Sequence, residues 1–180
     1  MELLDIVDEN GIPTGKLEER TLVHRNGLFH RTAHLWLFRR HAGGVQLLLQ
    51  KRSDNKDSYP GCWDISSAGH IPAGQDWIFS ALRELHEELG VSARPEELIF
   101  CGVRRFSFDG DFHGEPFHDR QVSRVYAMER DLPETAFTLQ PTEVQAVMWM
   151  DYEECVRGVN EHIFPTCIFS EELQMLKTAF

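Results

Sequence analysis

Gly69-His70-Ile71-Pro72-Ala73-Gly74-Gln75, seven further residues, and then Arg83-Glu84-Leu85-His86-Glu87-Glu88-Leu89-Gly90-Val91 make up the stretch that decides how this 180-residue chain folds. The glycines and proline of its first part close an irregular run from Lys51 to Gln75, and a structureless connection of that length inside a compact domain is usually functional. Asp76 is a good N-cap and Gly90 suits the left-handed residue that ends a helix, so the pattern predicts a helix from Asp76 to Leu89. At about 100° per residue, with Glu84 at the origin, Ile78, Leu82, Leu85 and Leu89 fall between about 100° and 160° and predict one buried stripe. Glu87 and Glu88 fall near ~300° and ~40°, so with Glu84 they form a carboxylate cluster turned away from that stripe. Like charges at these spacings cost an isolated helix a few tenths of a kcal/mol per pair; the cluster therefore does not serve helix stability. A solvated Glu-rich face is one reading of the three acids. The other is a divalent cation that relieves their repulsion. Oxygen-only ligands favour Mg²⁺, with Mn²⁺ as a substitute, and such ions bridge carboxylates to substrate phosphates.

Outward from this helix, strands are predicted at Leu4 to Val7, Lys16 to Val23, His30 to Phe38, Val45 to Gln50, Leu98 to Val103, Val122 to Met128 and Val144 to Met150, with a turn at Glu9-Asn10-Gly11. Helices are predicted at Asp151 to Val159 and Glu171 to Ala179. With no repeat and no Gly/Ser-rich linker, residues 1–180 read as a single domain. Hydrophobic residues at 42% and charged residues at 26% are globular composition, and no apolar run reaches the roughly 20 residues of a membrane span. The net charge of −11 disfavours binding to nucleic acid or to an anionic membrane surface. Cys62, Cys101, Cys155 and Cys167 form no CxxC pair and read as free thiols, and Met1-Glu2-Leu3-Leu4-Asp5 lacks the basic start of a secretory signal, so a cytoplasmic location is expected.

The whole string from Gly69 to Val91 resembles the Nudix box: a Gly, a Glu, then Arg-Glu-aliphatic-x-Glu-Glu-x-Gly-aliphatic at fixed spacing. Every defined position matches except Gln75, where the family has Glu. The resemblance implies an α/β/α sandwich with a mixed sheet, and Mg²⁺-dependent hydrolysis of a diphosphate linkage in a nucleoside diphosphate derivative or similar small diphosphate. It carries Glu84, Glu87 and Glu88 over as metal ligands. The proton acceptor is either Glu87, the first choice, or an acid from a later loop, for which Asp109, Asp111, Glu115, Asp119 and Glu143 are available. Lys51, Arg52 and Lys56, beside the predicted phosphate-handling loop of an acidic chain, are candidate substrate-binding cations. The box glutamate replaced by Gln75 mainly holds the arginine, here Arg83, so its loss predicts a softer site, or an inactive binding module.

Gln50-Lys51-Arg52-Ser53, Pro60-Gly61-x-Trp63 and Ala68-Gly69-His70 are similar to isopentenyl diphosphate isomerase and its Nudix relatives. That resemblance implies a histidine-rich metal site near His24, His30 and His70, and a cysteine and a glutamate where this chain has Ala68 and Gln121. Neither of these two can move a proton at carbon, so a hydrolase on an isomerase-like frame is expected, with isomerisation as the alternative. Read from the residues alone, His24, His30 and His34 are hydrogen-bonding side chains on a half-buried strand. The run from Phe106 to Phe117 mixes aromatics, acids and glycines and reads as a substrate-selecting loop, or as a surface packed on the core or on the second subunit of a homodimer.

Overall fold

The computed structural model describes residues 2–180; Met1, part of the leader reading, lies outside them. A two-stranded antiparallel hairpin, β1 (Leu3–Val7) and β2 (Pro13–Glu19), precedes helix α1 (Arg20–Asn26). The central strand β3 (His30–His41) pairs with β4 (Gly44–Arg52) only from Phe38 to His41. Beyond Phe38 the two strands part. The opened wedge is filled by β5 (Trp63–Asp64), paired with β4, and β6 (Ser67–His70), paired with β3. Buried Ser66 joins the parted strands, its Oγ accepting from Leu37 N at 2.7 Å and donating to Leu48 O at 2.6 Å. Helix α2 (Trp77–Leu89) follows, then β7 (Ile99–Phe112), β8 (Glu115–Glu129), β9 (Val144–Asp151), α3 (Tyr152–Asn160) and α4 (Ser170–Met175), which runs into a 3-10 turn at Leu176–Thr178. The β3 and β8 strands run parallel and all other pairs are antiparallel, so the sheet is mixed.

Alternation along β3 builds both faces. Ala33, Leu35 and Leu37 enter a core with Leu48, Ile71 and the α2 residues Trp77, Ala81, Leu85 and Leu89, while Trp36 and Phe38 enter a second core with Leu47, Leu49, Tyr152, Cys155 and Leu173 from the α3 and α4 side. The result is the expected α/β/α sandwich. Among the described residues no helix is long and apolar enough to cross a membrane.

Several local expectations change. The strand predicted to reach Val23 ends at Glu19, and His24 lies on α1. The stretch from Lys51 to Gln75 contains β5 and β6. The buried stripe of α2 runs through Trp77, Ala81, Leu85 and Leu89, leaving Ile78 and Leu82 half-buried at its edge. The run from Phe106 to Phe117 is a hairpin rather than a loop: β7 and β8 stay paired to Phe112↔Glu115, and His113 and Gly114, with φ of 54° and 81°, make the two-residue turn. Its rings pack within the chain, Tyr59 against Phe112 at 5.0 Å and Phe112 against Phe117 at 5.3 Å.

Candidate active site

Asp76 fixes where the box helix starts, its Oδ1 accepting from Ile78 N at 2.8 Å, and Gly90, at φ 70°, ends it. The loop before it is braced by the N-terminal hairpin: Asp5 accepts from Gly74 N at 2.8 Å and from Arg31 Nη2 at 2.7 Å. Gln75 Oε1 accepts from Arg83 Nη1 at 3.1 Å, and Arg83 Nη2 donates to Glu84 Oε1 at 2.6 Å. Gly69 lies so close to Glu84 that a Cβ there would collide with its Cγ and Cδ. A glycine is therefore required for the carboxylate to lie over β6.

Glu84, Glu87 and Glu88 open onto a cavity of about 1050 Å³ that Arg52, Lys56, His24, His34, His70 and Asp119 also line. The helix wheel misplaced one acid. Glu88 is only 5% exposed, because the wall of β4 and β6 covers a side of α2 that amphipathic spacing left to solvent. Burial pushes its carboxyl up to about 8, and Gln50 Nε2 donates to it at 3.5 Å. Burial also raises Glu84, against the pull of Arg83. Glu84 and Glu87 share the single Arg83 guanidinium and buried Glu88 pairs with no cation among the described residues, and an all-oxygen donor set of this kind fits a hard divalent cation. Arg52 is held by Asp64 Oδ2 at 2.8 Å and Ser58 O at 2.8 Å, and Lys56 pairs with Glu143. Lys51 is not brought to the cavity: on β4 it faces Ala146 and Trp63 across the strand pairs. Asp109 and Asp111 also lie outside it, Asp109 being bound to His118 and Arg120 at 2.7 Å.

A second donor set stands on the same cavity. His24 from α1, His30 at the start of β3 and His70 at the end of β6 bring ring nitrogens within 4.8 Å of one another. Asp119 Oδ1 lies 3.9 Å from His24 Nε2 and 3.6 Å from His30 Nε2, and neither His30 Nε2 nor Asp119 Oδ1 has a hydrogen-bond partner among the described residues. Burial lowers His24 to about 3, His30 to about 4, and His70 well below the ordinary imidazole range. Burial raises Asp119 to about 6. His24 Nε2 and His70 Nε2 lie 3.4 Å apart, and imidazoles held neutral in this arrangement suit a borderline cation. His34 differs: burial alone would lower it, yet the buried Glu172 carboxylate, 3.0 Å from Nδ1, holds it above its ordinary value. Of the histidines read as hydrogen-bonding strand residues, His34 and His30, whose Nδ1 lies 3.0 Å from Leu28 O, are on β3, and His24 is on α1. Glu172, Arg104 and Phe169 also line the cavity, and sequence reasoning missed all three. They come from β7 and the α4 segment, far from any motif, and no local spacing marks them.

The NUDIX domain family matches residues 28–166, more than half of the chain, and the chain belongs to that family. It is 45% identical over 156 residues to Nudix hydrolase 3 of Arabidopsis thaliana, covering 85% of this chain and 20% of that protein, so it spans about a fifth of that relative's length. An uncharacterized Nudix hydrolase of Clostridium acetobutylicum is 36% identical over 162 residues, 90% of this chain and 76% of the relative. The isopentenyl-diphosphate Delta-isomerase of Escherichia coli is 30% identical over 155 residues, 86% of this chain and 80% of the relative. A crystal structure from Deinococcus radiodurans shares the fold, with a TM-score of 0.68 at 21% identity, covering 96% of this chain and 98% of that one.

Proposed function

We propose that this chain hydrolyses a diphosphate linkage in a nucleoside diphosphate derivative or similar small diphosphate, using Mg²⁺, which Mn²⁺ can replace. The observation that carries the reading is the meeting of Glu84, Glu87 and Glu88 with Arg52 and Lys56 on one cavity. Glu84 and Glu88, with Glu87 at the rim, hold the ion. When bound, it neutralises diphosphate charge and lowers the pKa of water. Arg52, fixed by Asp64 and Ser58, presents an oriented positive charge to a phosphoryl group, and Lys56 exchanges Glu143 for a phosphate oxygen. Glu87, whose side chain is 52% exposed and 3.9 Å from Arg83 Nε, takes the proton, with Glu115, Asp119 and Glu143 as the other candidate acids that line the cavity.

The histidine nest favours a second reading, isoprenoid diphosphate isomerisation. Ala68 and Gln121 line the cavity where that chemistry needs proton carriers, and Gln121 donates its amide to Asp119 at 2.7 Å. A panel of nucleoside and isoprenoid diphosphates, assayed with Mg²⁺ and then Mn²⁺ by chromatography of all products, tests both. Metal-dependent hydrolysis is expected. Interconversion of isopentenyl and dimethylallyl diphosphates without hydrolysis would overturn it, and metal-independent binding without turnover would make the chain a binding module.

A further inference from the structure

Across four adjacent strands the register aligns His70 of β6, Thr32 of β3, Ser123 of β8 and Arg104 of β7 in one row. At about 4.8 Å per strand step, Arg104 sits about 14 Å from His70 and hence across the cavity from the box acids, a separation that a ribose and its phosphates can span. Arg104 is only 6% exposed, and its guanidinium faces the Glu171 and Glu172 carboxylates without coming within hydrogen-bond distance of either. Nε has no hydrogen-bond partner among the described residues, and the nearest carboxylate oxygens, Glu171 Oε2 at 3.7 Å and Glu172 Oε2 at 3.6 Å, are too far to accept. The group is wedged against two rings, 4.7 Å from the centroids of both Phe106 and Phe169.

We propose that Arg104, backed by Phe106 and Phe169, determines specificity by donating hydrogen bonds to the acceptor edge of a nucleobase carried on the diphosphate. The inference rests on the hydrolase reading and adds which end of the cavity takes the base. A buried guanidinium without acceptors carries a desolvation cost that a ligand oxygen or ring nitrogen removes, and its planar fork suits two adjacent acceptors on a flat group. A hydrocarbon tail would leave it unsatisfied. A second anion fits poorly too, because Glu171 and Glu172 already face the guanidinium, and Glu172 stays ionised under Trp36 Nε1 at 2.8 Å and His34. A neutral, planar, acceptor-bearing base is what the remaining donors and rings accommodate.

The test compares a nucleoside diphosphate derivative with ribose 5-diphosphate, which lacks the base, in wild type, in Arg104→Met, and in the doubly neutral Arg104→Met/Glu172→Gln. Thermal unfolding checks each variant's fold, and Arg104→Lys, which keeps charge without the fork, replaces any that does not fold. The kcat/KM preference for the base-bearing substrate is expected to fall at least tenfold, through KM rather than kcat. An equal loss on both substrates, or no loss on either, overturns the assignment. Should wild type hydrolyse neither, the hydrolase reading fails. Arg104 is then judged by calorimetry with a methylene-bridged nucleoside diphosphate: tenfold weaker binding in the variants supports it, while equal binding, or none by wild type, overturns it.

Discussion

The two donor sets on the cavity are treated oppositely by the same burial. At the box helix, desolvation drives Glu88 up to about 8, so a group that should be anionic is held partly neutral until a cation arrives. At the histidine nest, desolvation drives His24 to about 3 and His30 to about 4, so groups that titrate near neutrality are held as free bases. Across neutral pH the box competes with protons for its metal, whereas at the nest Asp119, raised to about 6, is the group still close to titrating. His34 shows what decides this, since a buried histidine with its own carboxylate, Glu172, is held above its ordinary value rather than below it.

The largest expected effect breaks the box end. Glu88→Gln should lower kcat by about 100-fold or more, because a neutral amide is a poor Mg²⁺ ligand, and the loss of a buried ionisable carboxyl should leave the fold intact. Steady-state kinetics at limiting Mg²⁺ with circular dichroism check both parts. Wild-type activity in this variant would show that the box helix does not hold the ion.

A titration sharpens the same comparison at smaller amplitude. Binding at the box must displace a proton from Glu88, so between about pH 6 and 8 its Mn²⁺ affinity should rise by up to about tenfold per pH unit and then level off. The nest imidazoles have already lost their protons and Asp119, raised to about 6, loses its own at the bottom of that range, so the nest's affinity should level off by about pH 7. Calorimetry on His70→Asn isolates the box and on Glu88→Gln isolates the nest; equal slopes in the two variants would erase the distinction.

The two ends also differ in how far the chain announces them. Cap, carboxylates and terminal Gly90 of α2 are contiguous, so hydrogen bonding and helical spacing expose them directly. The nest is assembled by a helix, the start of a strand and the end of another, and α1 was read as strand because its seven residues are too few to establish a helical period. Glu88 was placed on a solvated face because a wheel describes one helix and not the strands over it. The β7–β8 hairpin was legible in the alternation of Phe106, Phe108 and Phe112, but Gly110, Gly114 and the acids between them weighed as turn signals. Arg104 and Glu172 carry no local signal, since their meaning comes from the register of β7 and the packing of α4.

The smallest expected effect concerns the single departure from the box. Gln75 Oε1 accepts from Arg83 Nη1, and Arg83 in turn reaches Glu84, so Gln75 touches the cation site through one intervening side chain and does not line the cavity. Gln75→Glu replaces a neutral acceptor with a charged one, adding about 1 kcal/mol to that bond, less where solvent reaches it. Arg83 would then be held more firmly away from the solvent and Glu84 kept in place over Gly69. The rise in kcat/KM should be no more than about tenfold, since 1.4 kcal/mol is a factor of ten. It should appear at limiting Mg²⁺ and fade at saturation, because a bound ion orders Glu84 by itself. An increase that persists at saturating Mg²⁺, or activity appearing from an inert wild type, would place residue 75 among the metal ligands and turn the natural chain into a binding protein.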